Sequence, residues 1–298
     1  MLDFRVDTFL CVCKTTNFTH AAKELHITQP AVSQHIHYLE KEYGTKLFQQ
    51  NGKKLILTDE GELLFRKMSQ MKNDEELLKR ELSSDRSNKK ITFGVTMTIG
   101  EYAISGPVSG FLKEHPDMDF VIHFGNTAEL LKNLQDGSID FALVEGYYPD
   151  GLYDTILYQT EKFIPVCASR HRFPKNPEQL SDLFSERLLV REPGSGTRNI
   201  LERALSLGNH GIDSFYHYIQ VENMHTIIQF LCCDCGISFL YQAAVEDELK
   251  LGILQEIPLS DFSIRHDFTF LWPKDSVFSE EIRSTCMDIK SRKELARK

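Results

Sequence analysis

The run REPGSGTR at 191–198 joins a glycine-rich turn to the start of a helical pattern and brings Ser195, Gly196, Thr197 and Arg198 together. Free backbone N–H groups in a helix's first turn, two hydroxyls and a guanidinium suit an anion. The run is not a phosphate-binding P-loop, because the Gly-Lys-Ser/Thr ending is absent. Nor does Ser195 sit in the G-x-S-x-G elbow of hydrolases. A plainer reading is a capped helix whose arginine pairs with a neighbouring acid such as Glu192 or Glu202.

Further polar groups follow short β-branched runs. Thr96, Thr98 and Gly100 come after ITFGVT, Asn126 and Thr127 after DFVIHFG, and Glu145-Gly146 at the end of DFALVEG. In open α/β sheets ligands sit at strand carboxyl ends, near helix N-termini. These groups are therefore candidates for one small-molecule site.

A second chemistry lies near the N-terminus. Ser33, Gln34, His37 and Lys41 share one face of a helical pattern, with Thr28 as its cap and Gln29 and Pro30 in its first turn. Small and amide side chains approach base edges, and a lysine meets phosphate. The opposite face carries Val32, Ile36 and Leu39 at helical spacing. A shorter pattern with Ala21, Ala22 and Leu25 precedes it. Gly44 ends it, and Asn51-Gly52 marks a tight turn with Lys53 and Lys54 beyond. Two helices, a turn and a hairpin read as a winged helix-turn-helix, which lays one helix in the major groove.

No catalytic set is visible. His123, His210 and His225 are scattered and lack a nucleophile or metal motif. Cys232, Cys233 and Cys235 cluster before Gly236 without a matching second half for a metal site. The seven cysteines read as reduced thiols, and a redox sensor is the sharper alternative. No metal, cofactor or enzyme activity is expected.

The elements that must hold these groups fall into three parts. Residues 1–58 form the DNA-binding domain. Residues 59–90 form a helix capped by Thr58, then a polar hinge, SSDRSNKK. In that helix Leu64, Met68, Met71, Leu78 and Leu82 recur at spacings of four and three, broken only by Glu75, which is a heptad seam for a second copy of the chain. Residues 91–298 alternate short strands with amphipathic helices, the βαβ rhythm of a mostly parallel sheet. EYAISGPVSGFLKEH reads as one helix of that series.

Composition sets outer bounds. The chain has 298 residues, 41% of them hydrophobic, and a net charge of −9. Residues 1–89 carry 14 basic and 13 acidic groups, so the acid belongs to the C-terminal part. DNA affinity then rests on a few placed cations and on dimerisation, and is salt-sensitive. No signal sequence or membrane-length apolar run is read, so a cytoplasmic protein without membrane contact is expected.

The chain resembles the LysR-type transcriptional regulators. The match runs through Phe18, Ala21, Ala22, Leu25, Gln29, Pro30, Ala31, Val32, Ser33, Ile36, Leu39, Glu40, Gly44, Leu47, Phe48, Leu57, Thr58 and Gly61. Where the family usually has a basic residue after its Leu-Phe pair, this chain has Gln50, and Lys53 or Lys54 stands ready to replace that phosphate contact. TIGEY, GNT, VEG and REPGSGTR are similar to a subgroup that includes regulators of sulfur and carbon assimilation. After TIGEY the chain departs, with Ala103, Ile104, Ser105 and Gly106 before Pro107, which predicts a looser helix start.

The resemblance implies a C-terminal domain like the type 2 periplasmic binding proteins. Lobe I would take about 91–163 and 268–298, and lobe II about 164–267, joined by crossover strands near 160–167 and 265–271. It implies that a small, often anionic metabolite binds between the lobes. Thr96, Thr98, Asn126, Thr127, Glu145, Ser195, Gly196, Thr197 and Arg198 are the residues so implicated. It also implies double-stranded DNA, a second copy through the linker helix, a tetramer through the effector domains, and RNA polymerase for an activator.

Overall fold

Short polar caps set the helix starts of the N-terminal part. Asp3 accepts the Arg5 N–H and opens α1 (Phe4–Thr15). Asn17 accepts from Thr19 and His20 and opens α2 (Phe18–Glu24). Thr28 accepts from Ala31 and opens α3 (Gln29–Tyr43), with Pro30 in the first turn where a missing N–H costs nothing. Gly44 closes α3 in the left-handed region, φ 68°. A seven-residue helix such as α2 cannot hold itself in water. It is held by Ala21 and Ala22, buried against Phe9, Val12, Val32, Ile36, Leu39 and Leu47.

The wing is an antiparallel hairpin of β1 (Phe48–Asn51) and β2 (Lys54–Leu57). Asn51 pairs with Lys54, so Asn51 belongs to the ladder and the turn expected at Asn51-Gly52 keeps only Gly52 among the described residues. The ladder takes in Asn51, and Gly52 supplies the positive φ of 63°. Thr58 accepts the Gly61 N–H at 3.0 Å and starts α4 (Asp59–Ser83). Leu64 and Phe65 of α4 pack on the domain core, so Leu64 is partly spent there rather than on a seam. Met71, Leu78 and Leu82 stand 48%, 48% and 78% exposed.

The computed structural model describes residues 2–52, 54–83 and 89–293, in two compact units made mainly of 1–86 and of 87–298. Lys53, hinge residues 84–88 and residues 294–298 lie outside the described residues.

The second unit begins with β3 (Lys89–Thr96), α5 (Met97–Tyr102), α6 (Ser105–Glu114), β4 (Met118–Gly125), α7 (Thr127–Gln135) and β5 (Phe141–Val144). The long β6 (Tyr153–Ala168) leads to β7 (Arg187–Val190), α8 (Gly196–Leu207), β8 (His217–Gln220) and α9 (Met224–Cys232). Then come β9 (Ser238–Tyr241), α10 (Glu246–Lys250), β10 (Leu254–Glu256), β11 (Ile264–Pro273) and α11 (Ser279–Ser291). The segment expected as one helix after β3 is two, α5 and α6, broken at Ala103 and Ile104 where the chain leaves the family pattern.

The expectation of a mostly parallel sheet is corrected. Strand order is β10-β6-β11-β5-β3-β4, with β9 also on β6. β3 is parallel to β4 and β5, and β7 to β8. But β6 and β11 run antiparallel from Phe163 opposite Ile264 to Tyr153 opposite Pro273, and β9 and β10 join β6 antiparallel. The cause is topological. Two strands that carry the chain out to a second lobe and back must run in opposite directions. Their pairing is interrupted by one bulge at Phe268/Thr269, which kinks a ladder locally. The domain is thus α/β and two-lobed, the lobes joined by two crossover strands. Phe93, Phe141, Phe270 and Tyr158 fill the core beneath the first lobe, and Leu189, Ile227, Leu231 and Leu240 lie in that of the second.

Candidate DNA interface and effector cleft

On α3 the apolar stripe of Val32, Ile36 and Leu39 is buried, which turns Gln34, His37 and Lys41 to solvent. Thr28, Gln29 and Pro30 at its start are exposed, and Ser33 is half-buried. The Gln29 amide donates to the Ser33 hydroxyl at 2.9 Å, one turn along, so two expected base readers are pre-arranged. Lys41 and Lys54 are exposed and take no carboxylate partner among the described residues. Lys46, by contrast, is held by Glu40 at 2.6 Å, and Glu40 also accepts the Leu47 N–H at 3.1 Å. Arg5, which sequence reading passed over, stacks 3.9 Å over the ring of exposed Tyr38.

In the second unit, the ends of four strands and the helix starts that follow them line one cavity of about 610 Å³. Met97 follows β3, Gly125 ends β4 and Asn126 follows it, Arg191 to Pro193 follow β7, and Gln220 ends β8 with Glu222 and Asn223 beyond it. This is where the strand-end rule places a ligand. Of the residues singled out in sequence, only Asn126 lines this cavity directly. Asn126 and Glu129 cap α7 reciprocally, each accepting the other's N–H at 3.0 Å.

The remaining expected residues meet behind it, around Glu145. This carboxyl is fully buried. It accepts from the Thr96 hydroxyl, and from Thr197 at 3.3 Å across the lobe boundary. Its backbone carbonyl accepts from Thr127 at 2.5 Å. Burial pushes the Glu145 carboxyl up from its ordinary value, against the hydroxyl of Thr96, the charge of Arg191 and the hydroxyl of Thr197. The Thr98 hydroxyl, buried close by, makes only a weak contact with the Glu145 carboxyl, and the Tyr241 hydroxyl is buried with no hydrogen-bond partner among the described residues. Ser195 is the N-cap of α8 by backbone only. The first-turn N–H groups of Gly196, Thr197 and Arg198 consequently lack a partner within the helix.

The two lobes touch here with no room to spare. A Cβ on Gly196 would lie 2.1 Å from the Glu145 carbonyl oxygen, and one on Gly146 2.7 Å from the Gly196 Cα. Gly146 also holds φ 102°, which a side chain resists.

Arg198 does not face an open site. Its Nε donates to Glu202 at 2.7 Å, and Nη1 donates to the Arg191 carbonyl at 3.1 Å and to Gln220 at 3.0 Å. The plainer sequence reading named Glu202 for this pair. Arg191 is the cation at the cleft, 3% exposed, and Glu192 grips it with two bonds of 2.8 and 3.0 Å. Sequence reading missed Arg191, Glu129 and Glu222 as lining groups. The rule that flagged Thr96 and Asn126 would have flagged Arg191 as well, once β7 was seen to end at Val190. A second lobe contact is Tyr147, whose ring lies 3.6 Å under the Arg203 guanidinium.

Among the described residues no group of histidine, cysteine and carboxylate side chains could hold a metal. None of their helices is long and apolar enough to cross a membrane.

Comparison with known proteins matches both units. Residues 5–62 fit the family described as bacterial regulatory helix-turn-helix protein, lysR family, and residues 84–285 fit the LysR substrate binding domain. The HTH-type transcriptional regulator CfxR of Cupriavidus necator is 33% identical over 264 residues, covering 86% of this chain and 80% of that protein. The HTH-type transcriptional regulator CysL of Bacillus subtilis is 26% identical over 267 residues, covering 89% of this chain and 88% of that one. The solved structure of ArgP from Mycobacterium tuberculosis shares the fold with a TM-score of 0.67 at 18% identity, covering 98% of each chain.

Proposed function

This chain belongs to the LysR-type transcriptional regulators, and from that premise we propose how its residues divide the work of a metabolite-responsive, DNA-binding regulator. α3 reads the major groove with Ser33, Gln34 and His37, aided by Thr28, Gln29 and Pro30 at its start. Lys41, Lys54 and Lys53 hold phosphate. Lys41 and Lys54 form no ion pair among the described residues, which supports that role. Two copies join through α4 by Met68, Met71, Leu78 and Leu82, and present two such helices to a two-fold related site. Effector domains then extend the dimer to a tetramer.

The domains are 1–58, 59–90 and 91–298, with lobes at about 91–163 plus 268–298 and about 164–267. A small metabolite binds between the lobes. An acidic group on it is met by the first turn of α8, at Ser195, Gly196 and Thr197, with Thr96, Thr98, Asn126, Thr127 and Glu145 around it and Arg198 bracing the helix. The observation that carries this reading is the buried hydroxyl of Thr98, which has no full hydrogen-bond partner and only a weak contact with Glu145. Such an atom costs free energy unless something pairs with it. The protein is a cytoplasmic regulator without enzyme activity, and as an activator it contacts RNA polymerase.

The mechanism is linkage. A ligand that prefers one arrangement of the lobes shifts the DNA-binding equilibrium, and DNA shifts ligand affinity by the same factor. Thermal unfolding of the full chain against a panel of small acids tests this. A ligand at about 100 times its Kd adds about 2.7 kcal/mol. The same compound should change affinity for operator DNA, and both effects should vanish in Thr98→Val. Stabilisation that persists in Thr98→Val would contradict the site.

A further inference from the structure

We propose that Arg5 is a further phosphate contact to duplex DNA, held at the edge of the α3 reading face by the ring of Tyr38. The proposal rests on the reading of α3 above and adds to it a residue from α1.

The site is built from two helices. Arg5 lies in the first turn of α1, and its guanidinium carbon sits 3.9 Å from the centre of the Tyr38 ring on α3 and 4.7 Å from that of Phe4. Tyr38 comes four residues after Gln34 and three before Lys41, so it neighbours both on the helix surface and borders the face that carries them. Behind this stack α1 is pinned to α3. The Phe4 ring meets the His35 ring edge-on at 5.1 Å, and the Thr8 hydroxyl lies 2.8 Å from His35 Nδ1. Phe4 and Tyr38 nonetheless stay 59% and 43% exposed, so they serve the surface more than the core.

Helix physics alone does not explain this cation. The start of α1 is the positive end of its dipole, where a positive side chain is unfavourable. Asp3 offsets that, accepting from the Arg5 backbone N–H at 2.8 Å and from Nη1 at 2.7 Å. The pair is exposed, and exposed pairs hold weakly. Nε and Nη2 take no acceptor among the described residues. Stacking occupies the face of a guanidinium and leaves its donors in the plane, where two side by side suit the oxygens of a phosphate.

Charge makes such a contact count. Residues 1–89 carry 14 basic and 13 acidic groups, and Lys46 and Lys72 are already matched by Glu40 and Asp7. Few cations remain for phosphate, so one stacked beside the reading face is a sizeable share of them.

Fluorescence anisotropy of the full chain on a mixed-sequence duplex over a salt series tests this. Arg5→Gln should weaken binding and lower the slope of log K against log salt by about one. Arg5→Lys should restore most of that slope, because charge sets it. Tyr38→Leu keeps apolar bulk and removes the ring face. It should lower the slope in the wild-type background and change nothing further in Arg5→Gln. A stack that only joins α1 to α3 would lower Tm in these variants and leave the slope alone, which would overturn the proposal. An unchanged slope in Arg5→Gln, where Lys54→Ala lowers it, would also overturn the proposal and leave α3 as the reading helix. An unchanged slope in both would bring down the phosphate contacts assigned above as well.

Discussion

The Cα of Gly196 rests against the backbone carbonyl of Glu145, so closely that a methyl group there would lie 2.1 Å from the oxygen. One residue opens α8 of lobe II and the other directly follows β5 of lobe I. Their contact makes the glycine of GSGT a packing residue as much as a ligand-binding one. It also couples any event at the α8 N-terminus to the separation of the lobes.

Gly196→Ala should therefore wedge the lobes. The Glu145 carbonyl is backbone and cannot swing aside, so the overpacking cost of about 1–3 kcal/mol applies. For a domain of this size that lowers Tm by about 2–10 °C. Differential scanning calorimetry reads it, and an unchanged Tm would mean that the lobes open freely at this point.

Glu145 gives a pH signature. Burial raises its carboxyl in the folded state above the ordinary value of 4.5. The folded protein then holds this proton more tightly than the unfolded chain does. Its stabilising share is full at or below pH 4.5, and is lost as pH rises through the raised value. Glu145→Gln should flatten the stability profile between pH 4.5 and the raised value, and raise Tm at neutral pH. Parallel profiles for the two proteins would contradict the assignment.

Two wing-side lysines should behave differently. Lys54 takes no carboxylate partner among the described residues, whereas Lys46 is tied to Glu40. Lys54→Ala should weaken DNA binding across sequences and reduce the slope of log K against log salt by about one. Lys46→Ala should leave that slope nearly unchanged. Fluorescence anisotropy over a salt series separates them, and equal slopes would remove Lys54 from the phosphate contacts.

Met71 and Leu78, each 48% exposed on α4, should matter for association and little for folding. The double change Met71→Glu and Leu78→Glu should lower the oligomeric state by light scattering while circular dichroism stays the same. An unaltered mass would move the interface elsewhere.

The winged helix-turn-helix was legible almost residue by residue, because caps and periodicity are local. Thr28 and Thr58 cap where their hydroxyls predicted, and Gly44 closes α3 where the lack of a side chain predicted. In the C-terminal domain the strands were legible and their directions were not. Antiparallel pairing of β6 with β11 joins residues about a hundred positions apart, and no local pattern encodes it. The cleft was half legible. Strand ends flagged Thr96, Asn126 and Glu145, yet Arg198 turned away to Glu202 and Arg191 took the place at the cavity. Which of two arginines in one motif faces the cavity depends on how β7 and α8 turn them, and spacing alone does not give that.

The central claim is sequence-specific binding of duplex DNA through α3. The most direct measurement is selection of bound sites from a random-sequence duplex pool by the full chain and by Ser33→Arg, whose bulk at the groove face leaves the buried side of the helix untouched. The account predicts enrichment of two related half-sites in two-fold symmetry for the wild type, and loss of that motif for the variant with its thermal unfolding unchanged. No enriched motif, or the same motif from both proteins, would contradict it.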